Sequence, residues 1–223
     1  MKIFTFYLKT TPVVWKRWFN HWLWLIFPKF IRNPFPPVSF WEWWADFFFY
    51  TLDVLYFPLW YEWTTRIFKK SVRKLTKTEK SEAEKIFGDS LQYEYIRIDT
   101  NPFFGIGKDV VAFVTFFTVN YKQTLPSAIF IHELVHIWQY QRFGSVYISK
   151  AIKAQHGKEG YDYGGTERLY HEMVRGKSLL DFNFEQQAEI IEAYYQQLKK
   201  SRSTALEDTV MRYFASEVNG RSV

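Results

Sequence analysis

An α+β fold is what the sequence predicts, on three observations. Helical periodicity fills both ends of the chain, two runs rich in β-branched and aromatic residues lie between them, and no internal repeat divides the 223 residues. Hydrophobic side chains make up 48% of the chain, enough to bury a core, which argues against disorder. The length suits one medium domain, or a small domain with an appendage.

Across residues 13–27, three- and four-residue steps place Lys16, Arg17, Asn20 and His21 on one arc of a helix. Trp15, Trp18, Phe19, Trp22, Leu23, Leu25 and Ile26 fall on the opposite arc. Pro28, Pro34, Pro36 and Pro37 then break the chain. A second helical run, residues 40–57, carries Glu42, Asp46 and Asp53 in one narrow stripe, and Pro58 is expected to end or kink it. Thr76-Lys77-Thr78-Glu79 reads as a capping box opening a helix that runs to Phe87 and stops at Gly88. Residues 93–98 alternate like a strand. Residues 99–108, with Pro102, Gly105 and Gly107, read as a loop, and residues 110–119 as a second strand. After Pro126 a helix is expected over residues 127–142. Others follow near 166–175 and over 183–199, and Thr204 caps the last.

Charge and aromatic content divide the chain in two. Residues 1–75 hold eleven Lys/Arg against four Asp/Glu, and nine of the ten tryptophans. Residues 76–223 are close to neutral and hold only Trp138. The boundary near residues 71–78 therefore separates a basic, aromatic, helical segment (1–75) from a second domain (76–223). Basic charge accompanied by dense Trp and Phe argues against a nucleic-acid face and for a membrane interface, met by residues 13–70. Neither helical run is a comfortable span: the first is too short and carries charge along one side, and each of the three carboxylates of the second would cost about 2.5–3.5 kcal/mol near a bilayer centre. Lying flat avoids that cost, and Arg66, Lys69, Lys70, Arg73 and Lys74 could then face anionic lipid. The other place for these helices is against protein, either this chain or a partner. The expected location is thus monotopic or peripheral on a membrane, otherwise cytoplasmic. No cleaved signal peptide is expected, since the apolar run at residues 22–27 is short and lacks a small-residue cleavage pattern after it.

The absence of cysteine excludes disulfides, a cysteine nucleophile and thiolate metal sites, so any metal must be held by His, Asp or Glu. Residues 127–141 contain His132-Glu133-Leu134-Val135-His136. A helix brings residues four apart onto one face, so both imidazoles can reach one ion, and Glu133 can take a proton from water activated there. Such a motif arises by chance in roughly one chain of this composition in a hundred. Its apolar surroundings, Phe130, Ile131, Leu134, Val135 and Ile137, bury it where unpaired polar groups are costly. The Gly and third His of the metzincin spacing are replaced by Gln139 and Arg142, which excludes that variant. Candidates for the third ligand are Asp162, His171, Glu185 and Glu189. Glu185 is favoured: it and Glu189, four apart, share a helical face, so one can bind metal while the other accepts the free N–H of a ligand histidine.

HELVH followed after a long insertion by Glu185-Gln-Gln-Ala-Glu189 resembles the gluzincin branch of the zincin metallopeptidases. The resemblance implies a minimal zincin-like domain, a zinc cofactor held by His132, His136 and Glu185, and Glu189 supporting the first histidine, where the family usually has Asp. The stretches LTKTEKSEAEKIFG, HELVHIWQYQ and FNFEQQAEII, within residues 75–200, are similar to small bacterial HExxH domains found near contractile-injection or toxin-type genes. Residues 110–119 would then be the strand at the cleft rim to which a peptide substrate adds. Tyr161, Tyr163 and His171 are the candidate oxyanion donors. The expected activity is peptide hydrolysis with Glu133 as general base. The alternative is a non-catalytic module in which zinc fastens helices that dock on membrane or protein.

Overall fold

The computed structural model describes residues 2–31, 33, 35–102, 111–158, 160–200 and 203–220. Three helices come first: α1 (Lys2–Ile26), α2 (Phe40–Val54) and α3 (Phe57–Phe68). A short strand β1 (Val72–Lys74) and helix α4 (Lys77–Phe87) lead to β2 (Arg97–Asp99), β3 (Ala112–Thr115) and β4 (Thr118–Tyr121). Five helices complete the described chain: α5 (Ser127–Phe143), α6 (Val146–Gln155), α7 (Gly165–Val174), α8 (Phe184–Lys199) and α9 (Ala205–Asn219). The four strands form one sheet in the order β1-β2-β4-β3, with β2 and β4 parallel and the other pairs antiparallel. The layout is α+β.

Local signals set several boundaries as expected. Thr76 accepts from the Glu79 amide while Glu79 accepts from the Thr76 amide, and α4 ends at Gly88. Asn183 caps α8 and Thr204 caps α9. Elsewhere tertiary packing prevails. The first helix begins eleven residues before the expected start and runs through Pro12, because Ile3, Phe6 and Tyr7 are buried in the main core. The ring of Phe6 lies 5.1 Å from that of Phe117 and 5.5 Å from that of Tyr95. Pro58 starts a helix instead of ending one. The break falls at Tyr56, whose φ is +55°, and Pro58 takes the first turn of α3, where its missing N–H has no partner to lose.

The sheet also departs from expectation. Only residues 97–99 of the 93–98 stretch and its neighbour are strand, because the amides of Tyr95 and Ile96 bond back to Gln92 and Tyr93 in a turn. Asp99 belongs to β2, and residues 103–108 of the expected loop lie outside the described residues. The run at 110–119, whose first residue also lies outside them, is a hairpin and not one strand. Thr115 pairs with Thr118 around Phe116 and Phe117, and Phe116 adopts φ +54° without a glycine because both rings are buried. Helix α6 and strand β1 were not expected from the sequence.

The two compositional halves share one core. The hydroxyls of Tyr7 and Tyr140 are 2.8 Å apart. Glu62 on α3 is fully buried and accepts from the Phe117 amide at 3.0 Å and the Thr118 hydroxyl at 3.1 Å. The carboxylate stripe of α2 faces protein: Asp46 accepts from Lys150 Nζ at 2.6 Å, and Asp53 from the Ser145 amide at 2.8 Å. Of the five cations expected to face lipid, Arg66 pairs with Glu62, Lys69 with Asp99 and Arg73 with Glu79. Among the described residues no helix is long and apolar enough to cross a membrane.

Candidate metal centre

Helix α5 passes through the middle of the molecule, and every residue from Phe130 to Tyr140 is buried. It packs against α8 on one side and against β3 and β4 on another. Asn183 fixes the start of α8 by accepting from the amides of Glu185 and Gln186, which sets Glu185 in the first turn, facing α5. The result brings three side chains from distant sequence positions together. Glu185 Oε2 lies 3.4 Å from His132 Nε2 and 3.4 Å from His136 Nε2, and all three donor atoms fall within 4.8 Å of one another.

That spacing can be compared with bond geometry. Zinc–nitrogen and zinc–oxygen bonds are about 2.0–2.2 Å, so two donors of a tetrahedral ion stand about 3.4 Å apart. A charge-assisted hydrogen bond would draw the atoms to about 2.7–2.9 Å. Glu185 Oε2 is buried without any hydrogen bond, while its Oε1 accepts from Gln155 Nε2 at 2.9 Å. One oxygen is thus anchored by protein and the other is turned, unpaired, towards two imidazole nitrogens. The buried group of His132, His136 and Glu185 can hold a metal ion.

The electrostatics agree with a cation site. Burial opposes charge on both histidines, but the carboxylates around them outweigh it: Glu185 and Glu192 push His132 up to about 10, and Glu185 raises His136. Burial likewise works against a charged Glu185, and His136 and His132 prevail, holding its carboxyl at about 2. Glu133 is raised by burial, against the pull of His136 and His132, and its Oε2 is also buried and unpaired.

The far nitrogens of the rings are held too. His136 Nδ1 lies 2.8 Å from Gln139 Oε1, and Gln139 Nε2 donates to the Phe184 carbonyl at 2.9 Å and to Gln187 Oε1 at 3.0 Å. His132 Nδ1 faces Glu192 Oε2 at 3.3 Å and Glu189 Oε1 at 3.6 Å. Glu189 is therefore beside the first histidine as expected, but Glu192 is closer. Sequence reasoning missed Gln139, Gln155, Gln187 and Glu192. Gln139 stands one turn after His136 and Glu192 two turns after Glu185, so helical spacing could have found both. Gln155 lies on the unexpected α6.

Of the three oxyanion candidates, Tyr161 is in ring contact with a site histidine, its centroid 6.2 Å from that of His132. Burial, then Glu185 and Glu133, push its hydroxyl up to about 12. Tyr163 packs against the edge of the core. His171 sits on α7 beside the Tyr170 ring and outside the ligand group. Asp162 accepts from the Gly164 amide through its side chain and is not among the clustered ligands.

No known family model matches the chain, and no solved structure matches it. The type VI secretion system spike protein VgrG2b of Pseudomonas aeruginosa is 29% identical over 135 residues, which are 55% of this chain and 13% of that protein. The chain thus matches a small part of its relative's length.

Proposed function

We propose that the chain is a zinc-dependent metallopeptidase of the gluzincin type, with His132, His136 and Glu185 as ligands and Glu133 as general base. The observation that carries this reading is the unpaired Glu185 Oε2, 3.4 Å from the Nε2 of each histidine, with the unpaired Glu133 Oε2 buried in the same region. Two imidazoles and one carboxylate, with no thiolate, are the ligand set of many catalytic zinc sites, which leave a fourth position open. Zinc, when bound, supplies Lewis acidity that acidifies a water to near neutral pH and polarises a peptide carbonyl.

The chain's own residues do the rest. Glu133 Oε2 takes the proton from the attacking water and passes it to the peptide nitrogen. The C–N bond then breaks to give one carboxylate and one amine. The burial that raises Glu133 suits a group that serves first as base and then as acid. Tyr161, beside His132, is the donor for the oxyanion. Strand β3 forms an edge of the sheet against α5, and an extended peptide adds there by main-chain hydrogen bonds. A purely structural metal site has no use for a buried, unpaired carboxylate next to its ligands, so Glu133 speaks against the non-catalytic alternative. The partial likeness to a secretion-system spike protein supports a bacterial contractile-injection setting for this activity.

Glu133→Gln tests the mechanism. Zinc measured by elemental analysis should stay near one ion per chain, while hydrolysis of an unfolded protein substrate falls by about a hundredfold or more. Hydrolysis retained by Glu133→Gln would remove this mechanism, and wild-type protein without stoichiometric metal would remove the site.

A further inference from the structure

The N-terminal helices are amphipathic in an inverted sense. On α1 part of the polar arc turns inward: His21 is 2% exposed and its Nε2 lies 3.0 Å from the Trp43 carbonyl, and Arg17 bonds to the Arg142 carbonyl, while Lys16 stays exposed. The outward stripe is apolar, with Phe4, Leu8, Trp15, Phe19, Trp22 and Ile26 all exposed at helical spacing. It runs the length of a 25-residue helix, about 37 Å at 1.5 Å per residue. On α2 the same division recurs. Trp41 is 79% exposed, Trp44 and Phe48 are also exposed, and Glu42, Asp46 and Asp53 point the other way.

The two stripes join into one surface. The ring of Trp22 lies 5.2 Å from that of Phe47, and Phe47 lies 5.6 Å from Trp44. Charge on this surface has one sign. All four carboxylates of residues 1–75 are engaged inward: Glu42 and Asp46 with Lys150, Asp53 with Ser145, and Glu62 with Arg66 and the Phe117 amide. Lys9, Lys16 and Lys29 are exposed beside the aromatic face, with no carboxylate partner among the described residues.

We propose that this face rests on an anionic lipid bilayer, with α1 and α2 lying in the plane of the headgroups. Indole and phenyl rings occupy the interface, and the three lysines meet lipid phosphate. The helices do not cross the bilayer, in keeping with their length and polarity. A second copy of the chain fits the face less well. A self-complementary contact would bring like-charged lysine rims together, with no carboxylate on that face to pair them. This proposal is independent of the peptidase reading, since it uses none of the metal-site residues.

The test is flotation of the intact chain with phosphatidylcholine vesicles, with and without phosphatidylglycerol. The protein should float with the anionic vesicles and more weakly with the neutral ones, and brominated acyl chains should quench its tryptophan emission. A W41S/W44S/F48S variant should lose at least about tenfold in partition to either vesicle. A K9E/K16E variant should lose binding to anionic vesicles while keeping the weaker binding to neutral ones. Each variant is scored only with a wild-type melting transition and metal content, and the charge variant leaves every apolar contact intact. Failure to float with either vesicle, or flotation unchanged by both variants, would overturn the proposal. So would a dimer in sedimentation that W41S/W44S/F48S dissociates while vesicle binding is absent.

Discussion

His136 and Gln139 stand one turn apart on α5, and the 2.8 Å contact between Nδ1 and Oε1 determines which nitrogen of the histidine is left free. The amide nitrogen of Gln139 is committed to the Phe184 carbonyl and to Gln187 Oε1, so its oxygen must face the ring. Nδ1 therefore carries a proton and donates, and Nε2 is the nitrogen left to face Glu185 and a cation held between them. Replacing Gln139 by Leu should leave His136 in place but free its ring to turn. Metal affinity measured by competition with a chelating dye should fall by about tenfold to a hundredfold. Unchanged affinity would mean that the ring is held by packing alone.

The first histidine has two carboxylates at its far side, at 3.3 Å from Glu192 and 3.6 Å from Glu189. The shorter contact belongs to the less exposed side chain. Glu192→Ala is accordingly expected to weaken metal binding more than Glu189→Ala, each by up to about tenfold. Glu185→Ala should abolish it. The reverse order for the two supporting residues would restore the role that the gluzincin resemblance assigns to Glu189.

Acid should loosen the contact between α2 and α6. Burial pushes the Glu42 carboxyl up, but Lys150 and Lys153 outweigh that and hold it at about 2, below its ordinary value of 4.5. A carboxylate depressed in the folded state stabilises the fold above its unfolded pKa. That contribution is lost as pH falls from about 4.5 towards 2. Glu42→Gln should lower the melting temperature at pH 7, and the difference from wild type should close across that acid window. A difference independent of pH would show that the ion pairs contribute nothing.

Gly144 ends α5 at φ +81° and ψ −165°, a region open essentially to glycine. A Cβ there would stand 2.3 Å from Asp53 Oδ2. That carboxylate is fixed by the amide and hydroxyl of Ser145 and cannot withdraw without losing both bonds. Gly144→Ala should therefore destabilise the protein by about 2 kcal/mol or more in chemical denaturation. A loss within a few tenths of a kcal/mol would mean that this junction yields freely.

What could be read from the sequence was what is decided locally. The capping residues Thr76 and Thr204 act on amides three positions away, so the starts of their helices were legible. The same holds for His132 and His136, which share a helix face by spacing, and for the Glu185 helix. What escaped depends on distant partners. Residues 2–12 are helical because Phe6 and Tyr7 meet Phe117, and the hairpin turns at Phe116 because its ring finds a buried site. Helix α6 breaks its apolar pattern with Lys150, whose partners lie more than a hundred residues earlier on α2. With α6 unseen, Gln155 could not be connected to Glu185.

Residues 1–75 look like an attachment by composition, yet they finish structures that the remainder begins. Without Glu62, the Phe117 amide at the tip of the β3–β4 hairpin would be buried with no acceptor, and without Tyr7 the Tyr140 hydroxyl on the metal-site helix would lose its partner. Without Phe6, the rings of Tyr95 and Phe117 would face a void. A cleavage near residue 75 would thus unseat the β3–β4 hairpin and the helix that carries the two histidines together. Possession of the first three helices is in this sense a licence for the buried histidine–glutamate group to exist, and a chain that lost them would lose the frame that holds His132, His136 and Glu185 together.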